Sequence, residues 1–175
     1  MRAEPMRWLL LLLSFCILSA HAEVRNPETH FFMPKLDDFQ EELAVARQEG
    51  KTGILIMFEM DECPFCHRMK NTVLNQSQVQ DWYRRHFLTY ALDVKGDTAM
   101  VDFQGKHTTE KAFALEHRAR ATPTFVFFDL DGKVMTRFTG AARSPDEFLL
   151  LGRYVVDGVY RGMPFNVFKR QQAGP

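Results

Sequence analysis

The sequence predicts an α/β fold, in which a mixed central sheet carries helices on both faces. Two short apolar runs, Gly53–Glu59 and Thr124–Asp129, have the length and composition of strands that are buried on both faces. Asp131-Gly132 follows the second run, which predicts a tight antiparallel hairpin with Lys133–Thr139. Segments with helical spacing of apolar residues separate the strands, so helices are available to cover the sheet.

The helix before the first strand is predicted to begin at Asp37, which can cap it, with Gln40 three residues later. Gly50 is expected to end this helix. Its apolar stripe consists of Leu36, Phe39, Leu43 and Ala46.

The middle of the chain predicts further helices and one strand. A helix follows Cys66 and runs to Leu74, and Ser77 with Gln80 is expected to cap a second short helix. Segment 87–93 is predicted to be a strand and segment 97–108 a polar loop. A helix is predicted from about residue 109 to residue 118.

The last predicted helix has the strongest start signal in the chain. Ser144 stands at the cap position, Pro145 at the first helical position, and Glu147 closes a capping box.

The N-terminus has the features of a secretory signal peptide spanning residues 1–22. Arg2 and Arg7 precede an apolar run from Trp8 to Leu18, and this run is too short to span a bilayer. Ala20 and Ala22 supply the small residues of a cleavage site, so we expect cleavage after Ala22 and a periplasmic protein. Residues 23–175 are then expected to form one domain, with its core at about 37–160.

The composition fits a neutral globular domain. Lysine and arginine number 22, as do aspartate and glutamate, and 46% of the residues are hydrophobic. This balance argues against nucleic acid or an anionic membrane surface as a partner, and we expect a monomer without stable membrane insertion. After signal removal only Cys63 and Cys66 would remain, in a compartment where disulfides form.

Cys63 and Cys66 form a CxxC pair between a predicted strand and a predicted helix. A cysteine at a helix N-terminus has its thiolate stabilised by free N–H groups and the helix dipole, which would lower a pKa of ~8.5 to roughly 7. Cys66 lies one turn along the helix and is expected to point inward and stay protonated. This arrangement predicts thiol–disulfide exchange, with Cys63 as nucleophile and Cys66 as the resolving thiol.

Three other interpretations of the cysteine pair remain open at this point. The pair could be a structural disulfide or two zinc ligands, although the histidines show no ligand spacing. Cys63-Pro64-Phe65-Cys66-His67 also matches the attachment pattern of c-type haem. The apolar strand before it and the hairpin strands after it argue against a small haem domain, so we expect neither metal nor cofactor, and His67 on the helix surface.

The segments FEMDECPFCHRMK and RATPTFVFFDLDGKVMTRFTG together resemble the thioredoxin superfamily, and most of all its exported SoxW-like members. The resemblance implies a thioredoxin-like fold and a cis peptide bond before Pro123, with the backbone of Thr122 free to pair with an extended substrate. We therefore expect Thr122, Pro123, Pro64 and Phe65 to contact substrate, with Phe65 lying beside an exposed sulfur.

The sequence departs from this family at one position. Thioredoxin has a buried aspartate six residues before its first cysteine, and Met57 stands there in this chain. Glu59, two residues later on the same strand face, is a candidate proton acceptor for Cys66, unless it is a solvent-exposed residue at the strand end. Arg68 and Lys70 are expected to be solvated.

The resemblance also implies partners and a direction of electron flow. Client proteins with disulfides or thiols are expected, and sulfur-oxidation or cytochrome-maturation proteins are candidates. Oxidants of the DsbA type have an inserted helical domain, for which the segment between Leu74 and Thr122 is too short. We therefore expect a reductase supplied by a membrane thiol donor of the DsbD or CcdA type; the alternative is an oxidase or isomerase that uses the same pair.

Overall fold

The computed structural model describes residues 23–34 and 38–173, so the predicted signal peptide and the predicted helix residues Leu36 and Asp37 lie outside the described residues. The helices are α1 (Pro27–His30), α2 (Phe39–Gln48), α3 (Pro64–Met69), α4 (Ser77–His86), α5 (Glu110–Glu116), α6 (Pro145–Val156) and α7 (Phe165–Gln172). The strands are β1 (Gly53–Glu59), β2 (Phe87–Asp93), β3 (Ala99–Val101), β4 (His107–Thr109), β5 (Thr124–Phe128) and β6 (Val134–Thr139). A π-helical turn, Lys70–Leu74, extends α3, and a 3₁₀ turn, Val159–Arg161, follows α6.

The central sheet is mixed, as predicted, with the strand order β2-β1-β5-β6. β1 and β2 are parallel, so their C-terminal ends, Glu59 and Asp93, lie together at one edge. β5 is antiparallel to both β1 and β6. The turn between β5 and β6 therefore lies at the opposite edge of the sheet, far from the C-terminal end of β1.

Side chains of β1 and β5 alternate between two apolar layers, which explains why both strands are apolar throughout. Leu55 and Met57 pack with α3, α4 and α6 on one face, whereas Ile54, Ile56 and Phe58 pack with α2 and α5 on the other. This arrangement confirms the expected α/β fold with helices on both faces. Within the described part of the chain, no helix is long and apolar enough to cross a membrane.

Two of the predicted helix starts were wrong. Asp38, not Asp37, caps α2, because its carboxylate accepts hydrogen bonds from the N–H groups of Gln40 and Glu41. Ser77 does not cap α4; it is the first helical residue and follows Gln76. The Gln80 side chain instead donates to the carbonyls of Leu74 and Arg25, which ties the N-terminal segment to the body of the fold.

The start of α6 is as predicted, with one difference. Ser144 Oγ accepts from the N–H of Glu147, but the Glu147 carboxylate accepts from the N–H of Arg143 rather than from that of Ser144. Gly50, with φ +66°, follows α2 as expected.

Three elements were not predicted. The segment expected to be a polar loop, 97–108, contains the β3–β4 hairpin, and its turn is held by the Asp102 carboxylate, which accepts from the N–H groups of Gln104 and Lys106. Helix α7 packs Phe165 and Phe168 against Tyr154 of α6. Helix α1 precedes α2 in the chain. Each of these elements is too short or too polar on average to produce a clear periodic signal.

The carboxyl group of Glu42, on α2, is buried. Glu42 is 2% exposed, one of its oxygens accepts a hydrogen bond from the Tyr90 hydroxyl, and the other has no described partner. Burial raises the pKa of Glu42, and the hydrogen bond from Tyr90 only partly opposes this rise. Burial therefore favours the protonated form of Glu42 more in the folded protein than in the unfolded chain.

We expect Glu42→Gln to change how stability depends on pH. The folded-state pKa of Glu42 is raised, so as the pH rises above about 4.3 Glu42 ionises in the unfolded chain before it ionises in the folded protein. Over this range the wild type loses stability, because the unfolded state binds fewer protons. The free energy of unfolding of the variant should therefore gain on that of the wild type between about pH 4 and neutral pH. Urea denaturation across this range measures the difference, with the exposed Glu116→Gln as a matched control. A difference between Glu42→Gln and the wild type that does not vary with pH would contradict the prediction.

Candidate active site

Cys63 lies where β1 passes into α3, at the C-terminal edge of the parallel strand pair. The N–H of Cys63 donates to the carbonyl of Met60 at 3.1 Å, which closes a tight turn after β1. Cys63 is the N-cap of α3, and Pro64 is the first helical residue. The N–H that proline lacks would have no partner within the helix at this position. The sulfur of Cys63 accepts a hydrogen bond from the N–H of Cys66 at 3.1 Å. The thiol group thus occupies the place of a capping oxygen at a helix N-terminus.

Both cysteines are free thiols and both are buried. Cys66 is 1% exposed and belongs to the apolar layer beneath α3, as expected for an inward-pointing residue. Cys63 is only 2% exposed, so the expectation of an exposed sulfur is wrong for the dithiol state. The reason is the neighbouring backbone, because Cys63 Sγ donates to the carbonyl oxygen of Thr122 at 3.3 Å.

The two thiols differ strongly in acidity. Burial by itself would raise the pKa of Cys63, but hydrogen bonds from the side chains of Cys66 and Thr122 and from the N–H groups of Cys66 and Phe65 outweigh it, and the pKa lies below its ordinary value. Burial, together with the hydrogen bond to Cys63, raises the pKa of Cys66 to about 12. One thiol is therefore prepared to ionise and the other to keep its proton.

The Thr122–Pro123 segment borders the cysteine pair. Its peptide bond is cis, in agreement with the expectation from the resemblance. The carbonyl of Pro123 accepts from the N–H of Gly140 at 2.8 Å, and the Thr124 hydroxyl donates to the carbonyl of Ala121 at 2.7 Å. These bonds fix the loop on either side of Pro123, so the structure brings Thr122 and Pro123 to the cysteine pair.

The surface beside Cys63 is formed by the first turn of α3. Pro64 is exposed, and Phe65 is 57% exposed, which is unusual for a large apolar side chain. The guanidinium of Arg68 lies 5.3 Å from the centre of the Phe65 ring, within cation–π range. His67 is exposed, as expected, and its ring Nε2 lies 2.6 Å from the carbonyl oxygen of Asp61.

Glu59 was expected either to accept a proton from Cys66 or to lie in solvent at the strand end. It does not lie in solvent, and its role as proton acceptor stays a prediction. Its side chain is 18% exposed and bonds to Lys70 Nζ at 2.7 Å, while Lys70 also binds Glu28 at 2.8 Å. Burial raises the pKa of Glu59, although Lys70 opposes the rise. Met57 is fully buried in the apolar layer that contains Cys66.

The expectation that Lys70 is solvated was wrong, because this residue, in the π-helical turn after α3, binds Glu28 of α1 and Glu59 of β1. Lys70 is four residues after Cys66 and therefore on the same helical face, which is the one sequence signal that could have indicated its burial. Glu28 belongs to a helix that was not predicted, so this ion-pair cluster could not be found from the sequence. In the described ranges 23–34 and 38–173, no group of three His, Cys, Asp or Glu side chains could hold a metal ion.

Comparison with known proteins agrees with this geometry. Residues 39–156 match the model of the thioredoxin-like domain family. The thiol:disulfide interchange protein DsbD of Pseudoalteromonas atlantica is 29% identical over 127 residues, which cover 70% of this chain and 19% of DsbD. The chain thus spans about a fifth of that relative.

Solved structures of thioredoxin-fold proteins superpose on most of the described chain. A thioredoxin from Thermus thermophilus is 26% identical with a TM-score of 0.55, over 81% of this chain and 94% of the thioredoxin. A thioredoxin-fold protein from Helicobacter pylori, 21% identical, has a TM-score of 0.56 over 71% of this chain and 82% of its own. The family match covers more than half of the sequence, and this chain belongs to the thioredoxin-like domain family.

Proposed function

We propose that this protein is a thiol:disulfide oxidoreductase in which Cys63 and Cys66 alternate between dithiol and disulfide. The observation that carries the proposal is the difference between the two thiols at one helix N-terminus, where the pKa of Cys63 is lowered and that of Cys66 is raised to about 12. A reactive thiolate next to a protected thiol is what sequential exchange requires, because one sulfur attacks first and the other acts later.

The proposed reaction begins with attack of the Cys63 thiolate on a partner disulfide. The partner S–S bond breaks, one partner sulfur leaves and takes up a proton, and a mixed disulfide joins Cys63 to the other sulfur. Cys66 then loses its proton and attacks Cys63, which releases the second partner thiol and leaves a Cys63–Cys66 disulfide. The partner gains two electrons and two protons, and this protein loses them.

The proton of Cys66 needs an acceptor in the second step. Glu59 remains the proposed one, but its described bond is to Lys70, so transfer from Cys66 would have to pass through water or follow a rearrangement of this ion pair. Release of Cys66 from the thiol hydrogen bond with Cys63, once the mixed disulfide forms, would also make Cys66 easier to ionise, because that bond contributes to its raised pKa.

Contacts with the partner are assigned to the Thr122–Pro123 segment and to the first turn of α3. The backbone of Thr122 is proposed to pair with an extended partner segment, while Pro64, Phe65 and Pro123 contact its side chains. The exposure of Phe65 supports this assignment, since a half-exposed phenylalanine next to the reactive sulfur offers apolar contact area to a partner.

The proposed location is the periplasm and the proposed direction is reduction of client disulfides, with electrons from a membrane thiol donor of the DsbD or CcdA type. The N-terminal sequence supports export, and the segment between Leu74 and Thr122 carries only β2, the β3–β4 hairpin, α4 and α5. An inserted helical domain of the oxidant type has no room there.

We expect alkylation by iodoacetamide to distinguish the two thiols. Cys63 should react first, with a rate that rises with pH around a midpoint below the ~8.5 of an ordinary cysteine, whereas Cys66 should stay unmodified until the protein is denatured. Peptide mass spectrometry of timed samples gives both rates. In Cys66→Ala the midpoint for Cys63 should move upward, because a hydrogen bond to the thiolate is lost; faster labelling of Cys66 in the wild type would reverse the assigned roles.

We expect the variants of the two cysteines to stop the reaction at different steps. With insulin as the disulfide substrate and dithiothreitol as the reductant, Cys63→Ala should abolish the acceleration because no mixed disulfide can form. Cys66→Ala should accumulate a mixed disulfide, visible as a mass adduct on the intact protein that reductant removes. Retention of wild-type activity by Cys63→Ala would refute the proposed function.

A further inference from the structure

An open cavity of about 580 Å³ lies between α4 and the N-terminal segment that contains α1. The residues that line it are Arg25, His30, Lys51, Asp81, Arg84 and Arg85. Four of these side chains are cationic at neutral pH and one is a carboxylate. Lys51 precedes β1, whereas Cys63 follows the opposite end of this strand, so the cavity is separate from the candidate active site.

Carboxylates neutralise two of the four cations. Arg25 lies 2.8 Å from an oxygen of Asp81 and 2.9 Å from an oxygen of Glu23. Lys51 Nζ lies 3.3 Å from an oxygen of Glu49. These ion pairs hold both side chains in place beside the cavity and leave them little free charge.

The other two cations, Arg84 and Arg85, have no carboxylate partner in the ranges 23–34 and 38–173. Arg84 Nη1 donates to the carbonyl of His30 at 3.2 Å, and Nη2 lies 3.6 Å from the sulfur of Met33, which is a weak acceptor. Arg85 Nε donates to the carbonyl of Asp81 at 3.2 Å. Neutral groups thus orient both guanidinium groups but do not neutralise their charge.

The neighbouring His86 is sensitive to the positive charge at this place. Burial is the main cause that lowers the pKa of His86, and the positive charges of Arg85 and Lys51 lower it further, while Asp157 opposes them. The four cations beside the cavity face the three carboxylates named above, so one positive charge is in excess. A concave site with an excess of positive charge raises the local concentration of anions.

The dipole of α4 explains part of this arrangement. Arg84 and Arg85 lie in the last turn of α4, where basic residues stabilise a helix through its dipole. The dipole does not require that Arg25 and Lys51, which belong to other segments, lie at the same cavity. Cations from three segments of the chain that meet at one open cavity are what an anion-binding site requires.

We propose that this cavity binds a phosphate group, which Arg84 and Arg85 hold through their guanidinium groups. A guanidinium group matches two oxygens of a phosphate with two parallel hydrogen bonds. Two guanidinium groups without a carboxylate suit a phosphate monoester, which carries about −1.5 to −2 charges at neutral pH, better than a carboxylate with one charge. The volume lies in the range of small-molecule sites, so there is also room for the organic part of such an ester.

A phosphate monoester can be a soluble compound or the headgroup of a phospholipid, and the test separates these two sources. Isothermal titration calorimetry of the purified protein at matched ionic strength uses glycerol 3-phosphate, inorganic phosphate and acetate as soluble probes. Co-sedimentation with vesicles that contain phosphatidic acid, compared with vesicles of phosphatidylcholine alone, tests the headgroup. We expect saturable binding of glycerol 3-phosphate at one site per molecule, with at least tenfold weaker binding of acetate and a loss of affinity at higher salt.

Arg85→Gln is the main variant, because Arg85 is exposed and its one described hydrogen bond is to a carbonyl of its own helix. It should weaken the binding of glycerol 3-phosphate by about tenfold or more, as expected for lost hydrogen bonds between charged groups. Arg85→Lys keeps the charge but not the two parallel hydrogen bonds, so its affinity should lie between those of Arg85→Gln and the wild type. Asp81→Asn should tighten binding, since it removes the acidic side chain from the lining.

Lys111→Gln is the matched control. Lys111 is exposed on α5, which packs on the other face of the sheet from α4, so this variant removes one positive charge away from the cavity. Its affinity for glycerol 3-phosphate should equal that of the wild type. Arg84→Gln should also weaken binding, but it removes the hydrogen bond to the His30 carbonyl, so its melting temperature is measured beside its affinity.

Binding that is reduced in Arg85→Gln but not in Lys111→Gln supports the inference, and the probe that binds, the soluble ester or the phosphatidic acid vesicle, identifies the source. Three results would each overturn it: no binding of any phosphate probe, equal affinity for acetate and glycerol 3-phosphate, or unchanged affinity in Arg85→Gln. The inference goes beyond the proposed function and does not rest on it. Failure of the wild type to reduce insulin would refute the proposed function and leave the phosphate site standing.

Discussion

The hydrogen bond from the N–H of Cys66 to the sulfur of Cys63, at 3.1 Å, is the interaction on which the site depends. It makes the sulfur the cap of α3, so the start of the helix and the acidity of the thiol have one physical origin. The geometry requires β1 to end at Glu59, a turn closed by the Met60 carbonyl, and Pro64 at the first helical position. A thiolate is a better acceptor than a thiol, so ionisation of Cys63 strengthens the start of its own helix.

The sheet supplies the opposite environment for Cys66. Because β1 is buried on both faces, the residues beneath α3 form a continuous apolar layer that includes Met57 and Cys66. An ionised sulfur in this layer would be poorly solvated, which is the main reason that the pKa of Cys66 is raised to about 12. Position 57 is methionine, and the carboxylate two residues later, Glu59, is held in an ion-pair cluster with Lys70 and Glu28. Cys63 itself is only 2% exposed, and its sulfur donates to the Thr122 carbonyl. A partner must therefore displace this hydrogen bond or approach past the Thr122 carbonyl to reach the sulfur.

The sequence was sufficient for the parts of the fold that have strong local causes. The apolar runs of β1 and β5, the Asp131-Gly132 turn and the Ser144 cap each carry a signal that tertiary packing does not override. It was not sufficient where two neighbouring residues could play the same role, as with Asp37 and Asp38, or where an element has only three or four residues, as with β3, β4 and α1. The contact between Lys70 and Glu28 joins two elements distant in sequence, and Arg118 in left-handed backbone is set by the end of α5. Neither has a local signature in the sequence.

The central claim is that Cys63 and Cys66 form a reversible two-electron couple suited to reduction of other proteins. Its most direct test is equilibration of the purified protein with glutathione buffers of graded ratio, followed by trapping of free thiols and counting them by mass. The account requires a single transition in which both thiols are lost together, with a reduction potential more negative than about −180 mV. Failure of the pair to form a disulfide at any ratio would contradict the claim itself, and a potential near −120 mV would contradict the reductase direction.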